Sequence, residues 1–162
     1  MNDYSEYLNK PGMLAWIEQE WKRNPHIHDE HARIVNEFIR EYKIISLTEL
    51  GCSTGNLASR IDVKFYKGID SNEDSVTLAK TKCPEKEFIQ ANIRDFKGYD
   101  MLVICFAVLK HFGLHEWTNI FNTCSEVGRY FIFDMPIGEQ TRDDGTEFHP
   151  CMEIAARLIT EH

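Results

Sequence analysis

Gly51 and Gly55 enclose Cys52, Ser53 and Thr54, directly after an apolar run and directly before a helical pattern. Glycine lets a backbone turn where a Cβ would block it, so a loop of this kind brings main-chain N–H groups close to a ligand. Nineteen residues beyond Gly51 a second apolar run ends in Gly68-Ile69-Asp70. A carboxylate at that place can accept hydrogen bonds from both hydroxyls of a ribose. Taken singly, each feature has a plain structural reading: the glycines cap strand and helix, and Asp70 opens the next helix. Together and in this order they favour a nucleoside ligand. A dinucleotide is served less well. Its fingerprint is Gly-x-Gly-x-x-Gly, and this loop has Ser53 and Asn56 at the second and third glycine positions, which hinders close approach to a pyrophosphate.

Other side chains could move protons or bind an acceptor. His111 follows the apolar run 101–109, and an imidazole titrating near neutrality can take a proton from a hydroxyl or an amine. The alternative for His111 is a helix-start histidine bonded to backbone. Asp134 ends the run 129–135 and either contacts an acceptor or caps the following loop. That loop, 138–150, holds Arg142, Asp143, Asp144, Glu147 and His149, as substrate contacts or as a solvated charge run. The segment His26-Ile27-His28-Asp29-Glu30-His31 gathers imidazoles and carboxylates, with His28 and His31 one helical turn apart. Asp29 is a ready helix N-cap, so no metal site is expected there. The five cysteines are an odd number with no two within four residues. They form neither a disulfide framework nor a CxxC site, and are expected to be reduced thiols in a cytoplasmic protein.

The elements that position these groups follow from periodicity. Residues 13–23 and 29–42 carry apolar side chains at helical spacing, with Asn24-Pro25 at the join. From residue 44 short apolar runs alternate with helical patterns: strands at 44–50, 65–70, 87–90, 101–106 and 129–135, and helices at 56–61, 72–82, 114–124 and 151–161. That alternation predicts a single α/β domain around a parallel sheet, with ligands at the carboxyl ends of the strands. The run MLVICF has no polar alternation, as a central strand covered on both faces requires. The chain has 162 residues, enough for one domain with a sizeable core, and a net charge of −8 that repels nucleic acid and anionic lipid surfaces. No apolar run is long enough to span a membrane.

The segments ELGCSTG, GIDSNEDSV, FIQANIRDF and YDMLVICFAVLKHF, in that order, resemble the four motifs of the class I S-adenosylmethionine-dependent methyltransferases, over roughly residues 47–136. The resemblance implies a Rossmann-like three-layer sandwich with strand order 3-2-1-4-5. It implies S-adenosylmethionine as cofactor and a small-molecule or sugar-like acceptor. Glu49, Gly51 and Gly55 would then surround the methionine end, with backbone contacts from Cys52 and Ser53. Asp70 would bind the ribose, Ser71 and Asn72 would lie beside the adenine, and Asn92 would stand where the family often has an acidic residue, followed by Ile93. Phe106 and His111 would face the transferred methyl. Residues 1–43 would form a helical lid with Tyr4 and Tyr7 at the acceptor, and Asp134 and His149 would be further acceptor contacts. Two readings compete with a methyltransferase: a non-catalytic or truncated cofactor-binding module, and an NAD(P)-dependent oxidoreductase. The family usually has seven strands, of which the last two form a hairpin. Here that hairpin is expected to be missing, leaving strand 130–135 as an unpaired edge open to a second copy of the chain.

Overall fold

The computed structural model describes residues 10–109, 112, 114–137 and 151–158. Two helices come first, α1 (Met13–Arg23) and α2 (Pro25–Tyr42). Pro25 supplies the first helical position of α2, where its fixed φ suits the helix and its missing N–H costs nothing. The helix therefore starts earlier than 29, and Asp29, expected as its cap, lies inside it and accepts from Arg60 Nε at 3.1 Å.

The sheet contains β1 (Ser46–Leu50), β2 (Phe65–Asp70), β3 (Glu87–Gln90), β4 (Asp100–Cys105), β5 (Gly128–Ile137) and β6 (Cys151–Leu158) in the order β3-β2-β1-β4-β5-β6. The first five are parallel, in the predicted order 3-2-1-4-5. Helix α3 (Glu73–Lys82) connects β2 to β3, and α4 (Leu114–Val127) connects β4 to β5. One face of the sheet packs Leu47, Tyr66, Ile104 and Ile132 against Val35 and Ile39 of α2 and Val76 and Ala79 of α3. The other packs Leu50, Val103, Cys105, Phe131 and Phe133 with Ile120 and Cys124 of α4. Burying β4 on both faces explains its unbroken apolar sequence.

Two expected helices are absent. Residues 56–61 form a single 3₁₀ turn, Ala58–Arg60. Asn36 of α2 donates to the Arg60 carbonyl at 2.8 Å and accepts from the Asp62 N–H at 2.9 Å, which ends the turn. The glycine loop is therefore not backed by a helix N-terminus. Residues 151–158 form β6 instead of a helix, pairing antiparallel with β5 from Tyr130↔Leu158 to Ile137↔Cys151. A long row of unpaired N–H and C=O groups on β5 is a stronger demand than the helical periodicity of CMEIAARL. Strand 130–135 is thus not an edge, and the proposed route to a homodimer through it is closed by the chain's own β6.

Candidate active site

Three turns meet at the carboxyl ends of β1, β2 and β4. The first begins at Gly51 (φ 77°), passes Ser53 (φ 47°) and ends at Gly55 (φ 74°). The N–H groups of Gly51 and Cys52 both donate to the Ile69 carbonyl, at 2.8 and 3.0 Å, so the loop is tied to the end of β2. Ser53 N–H then donates to Asp70 Oδ2 and Asn72 N–H to Asp70 Oδ1, each at 2.9 Å. A Cβ on Gly51 would overlap Cγ2 of Val108, which belongs to the turn after β4. Burial pushes the Asp70 pKa up, and the N–H groups of Asn72, Ser53 and Ser71 offset this only in part. Each Asp70 oxygen keeps acceptor capacity after these bonds.

Glu49 lies one layer lower. Its register partners are Gly68 and Ile104, and its buried carboxylate accepts from the Tyr66 hydroxyl. Burial raises its pKa to about 7, although the Tyr66 hydrogen bond and the nearby Lys86 both act to lower it. Cys52 turns its side chain under Gly68, and burial pushes its thiol pKa well up, as for an inert packing thiol. Ser71 is exposed, and Asn72 is buried as the cap of α3, accepting from Ser75 N–H at 2.7 Å. Between the first turn of α3 and the start of α1 is a pocket of about 140 Å³, lined by Asn72, Ser75, Leu14 and Ile17 among others. Asn92 is exposed and spends one lone pair of Oδ1 on the Arg94 N–H at 3.0 Å. Ile93 is buried in the same core layer as Leu109.

The turn after β4 is held from two sides. Ala107 (φ 58°) donates its N–H to both oxygens of Asp134, each at 2.8 Å. Trp117 Nε1 donates to the carbonyls of Leu109 and Phe112, at 3.0 and 3.1 Å. Arg94 pairs with Glu116 and covers the Phe112 ring at 4.7 Å. Phe106 stacks on His31, with centroids 4.3 Å apart and planes 10° from parallel. His31 Nε2 stands 4.0 Å from Asp134 Oδ2, beyond hydrogen-bond reach, and the Asp134 oxygens already accept from Ala107. Burial therefore dominates and lowers the His31 pKa to about 4, so the ring is neutral at pH 7.

Of the predicted site residues, the structure gathers Gly51, Cys52, Ser53, Gly55, Asp70 and Asn72 at one place, and Phe106 and Asp134 beside it. Tyr4, Tyr7, His111 and His149 lie outside the described residues. Sequence reasoning missed His31, which stacks on Phe106 beside Asp134, and considered it only as part of a metal group. Its position on the buried face of α2, with Ala32, Val35 and Ile39, is the signal that could have placed it. Glu18 of α1, which reaches the glycine loop, was missed altogether. Trp21 packs against the core and stacks on His28, while Trp16 is exposed. Among the described residues no group of three His, Cys, Asp or Glu side chains could hold a metal ion. Nor is any described helix long and apolar enough to cross a membrane.

A parallel sheet in the order 3-2-1-4-5, with a glycine turn after β1 braced by an acidic residue at the end of β2, defines the Rossmann-like methyltransferase fold. A family model described as a methyltransferase domain matches residues 48–129, and the chain belongs to that family, whose cofactor is S-adenosylmethionine. No curated protein matches the sequence. Among solved structures, magnesium protoporphyrin IX methyltransferase from Synechocystis PCC 6803, with bound S-adenosylhomocysteine, superposes with a TM-score of 0.71 at 19% identity, covering 82% of this chain and 71% of that one. The amino pentose methyltransferase CalS10 from Micromonospora echinaspora, bound to S-adenosylmethionine, gives 0.65 at 19% identity over 74% of this chain and 55% of its own. The plantazolicin methyltransferase BpumL, in complex with S-adenosylhomocysteine, gives 0.65 at 15% identity over 78% and 55%. The chain thus spans little more than half the length of the last two.

Proposed function

We propose that this chain is an S-adenosylmethionine-dependent methyltransferase acting on a small-molecule or sugar-like acceptor. The observation that carries the reading is the junction of Ser53 N–H with Asp70, over a Gly51 that has no room for a side chain beneath Val108. It leaves acceptor capacity on a buried carboxylate, as ribose hydroxyls require, beside a turn whose backbone a ligand can approach. Gly51, Ser53 and Gly55 would hold the methionine end, Asp70 the ribose, and Ser71 and Asn72 the adenine side. When bound, the cofactor supplies a methyl group already activated on a sulfonium, so the protein's task is to align the acceptor and exclude water.

This chain's residues do that work from the turn after β4. Asp134 fixes the strained Ala107, and Trp117 fixes the carbonyls of Leu109 and Phe112. His111 is the residue to take a proton from a hydroxyl or amine acceptor. A small acceptor agrees with the chain's net charge of −8, which disfavours nucleic acid. It agrees also with the porphyrin, amino pentose and plantazolicin named for the neighbours.

Isothermal calorimetry with S-adenosylmethionine, S-adenosylhomocysteine and NAD tests the cofactor. Binding of the first two and not the third is expected, and preferential binding of NAD refutes the reading. Asp70→Ala should weaken S-adenosylhomocysteine by about 100-fold or more, since two hydrogen bonds to a carboxylate are worth about 1.5–3 kcal/mol each. Unchanged affinity would remove the ribose contact.

A further inference from the structure

Helix α1 buries no residue completely, yet one of its side chains is the hub of a polar cluster on the glycine loop. Glu18 Oε1 accepts from the Thr54 hydroxyl, from Asn56 Nδ2 at 3.1 Å and from Lys82 Nζ at 2.8 Å. Lys82 also donates to Asn56 Oδ1 at 2.8 Å and to Thr54 Oγ1 at 3.3 Å, and Asn56 donates to Thr54 Oγ1 at 2.9 Å. The four groups come from three places: α1, the loop, and the last turn of α3. Burial acts to raise the Glu18 pKa, but the hydrogen bonds from Lys82, Thr54 and Asn56 outweigh it and lower it, so the carboxylate is charged at pH 7.

The loop depends on this cluster for its middle. Its start is fixed by the bonds of Gly51 and Cys52 to Ile69, whereas Thr54, fully buried, finds its acceptor in an element that precedes the sheet. Thr54 follows Ser53, the left-handed residue whose N–H meets Asp70. Displacing Glu18 would leave a buried hydroxyl short of an acceptor and Lys82 short of its counter-charge, next to the strained residue that braces the ribose carboxylate.

We propose that Glu18 is a positioning residue for cofactor binding: its carboxylate locks Thr54 and Asn56 so that the glycine loop is set before the ligand arrives. The inference rests on the cofactor reading above and adds that affinity is controlled by an ion pair outside the family's motifs. An ordered loop holds its ligand longer, and apparent affinity falls in proportion as the competent conformation is depopulated.

The test compares the intact wild-type chain with Glu18→Gln, Lys82→Met and the charge-reversed pair Glu18→Lys/Lys82→Glu. S-adenosylhomocysteine is the probe, and binding is followed by calorimetry and stopped-flow well below each variant's melting temperature. Glu18→Gln keeps the side chain's size and an acceptor but removes the charge. It should raise Kd and the off-rate about fivefold or more, and the reversed pair should recover part of that loss. Raising NaCl to about 0.5 M should weaken wild-type binding and leave Glu18→Gln nearly unaffected, because the pair is partly exposed to screening. A merely structural role would lower the melting temperature while leaving Kd and its salt dependence unchanged in the folded variant, and that result overturns the proposal. If the wild-type chain binds neither S-adenosylmethionine nor S-adenosylhomocysteine, the functional reading itself falls. Wild-type binding with an indifferent Glu18→Gln refutes only the role of Glu18.

Discussion

Replacing Gly51 by alanine separates the two reasons why a glycine must stand at the centre of the site. The first is conformational: at φ 77° an L-residue sits in the left-handed region, at a cost of about 1–2 kcal/mol. The second is steric, because the new methyl would collide with Val108 Cγ2 while Val108 Cβ and Cγ1, at 3.5 and 3.7 Å, would remain in ordinary contact. Overpacking of this kind costs about 1–3 kcal/mol. Gly51→Ala should therefore lose about 2–5 kcal/mol, a large part of the roughly 5–15 kcal/mol that holds a domain together. Val108→Ala removes Cγ2, so in Gly51→Ala/Val108→Ala the steric part should vanish and the conformational part remain. Urea unfolding of the wild type, the two single variants and the double variant measures this as a favourable coupling of about 1–3 kcal/mol. A Gly51→Ala protein as stable as the wild type, or a double variant with no coupling, would show that the turns after β1 and β4 do not meet as described.

Two further predictions concern buried titrating groups and have opposite signs. Glu49 has its pKa raised from 4.5 to about 7, first by burial, so between those values the folded protein holds a proton that the unfolded chain releases. Stability then falls as pH rises through that window, by up to about 3 kcal/mol. Glu49→Gln, which keeps an acceptor for Tyr66, should remove this contribution, and a stability difference between wild type and Glu49→Gln that stays constant from pH 5 to pH 8 in urea titrations would contradict it. His31 has its pKa lowered from 6.5 to about 4 by burial, so the unfolded chain takes up a proton that the folded one refuses. Stability present above pH 6.5 is lost toward pH 4, again by up to about 3 kcal/mol. His31→Leu should remove that slope, and thermal melts of the variant that still track the wild type over pH 4–6.5 would assign the loss to other groups.

What could be read from the sequence, and what could not, divides along the range of the interactions involved. Strands β2 and β3 stand at the residues where short apolar runs placed them, the parallel sheet follows from alternation of strand and helix, and the order 3-2-1-4-5 is the one the family resemblance implies. A strand buried on both faces needs nothing beyond its own composition to be recognised. Gly51, Gly55 and Asp70 were legible for a similar reason, since Gly51 and Gly55 open and close the turn directly after β1 and Asp70 is the last residue of β2. Residues 56–61 and 151–158 were not, because a partner distant in sequence decides each of them: Asn36 halts the first after one turn, and the open side of β5 draws the second into the sheet. The same holds in the site. His31 and Glu18 carry no local signature, and they matter only because α1 and α2 bring one ring onto Phe106 and one carboxylate onto Thr54. The motif thus names the groups that would touch the ligand, while the N-terminal helices hold them in place. Substitutions in α1 and α2 that leave every motif residue intact should therefore alter ligand binding, and a motif match alone would not foresee it.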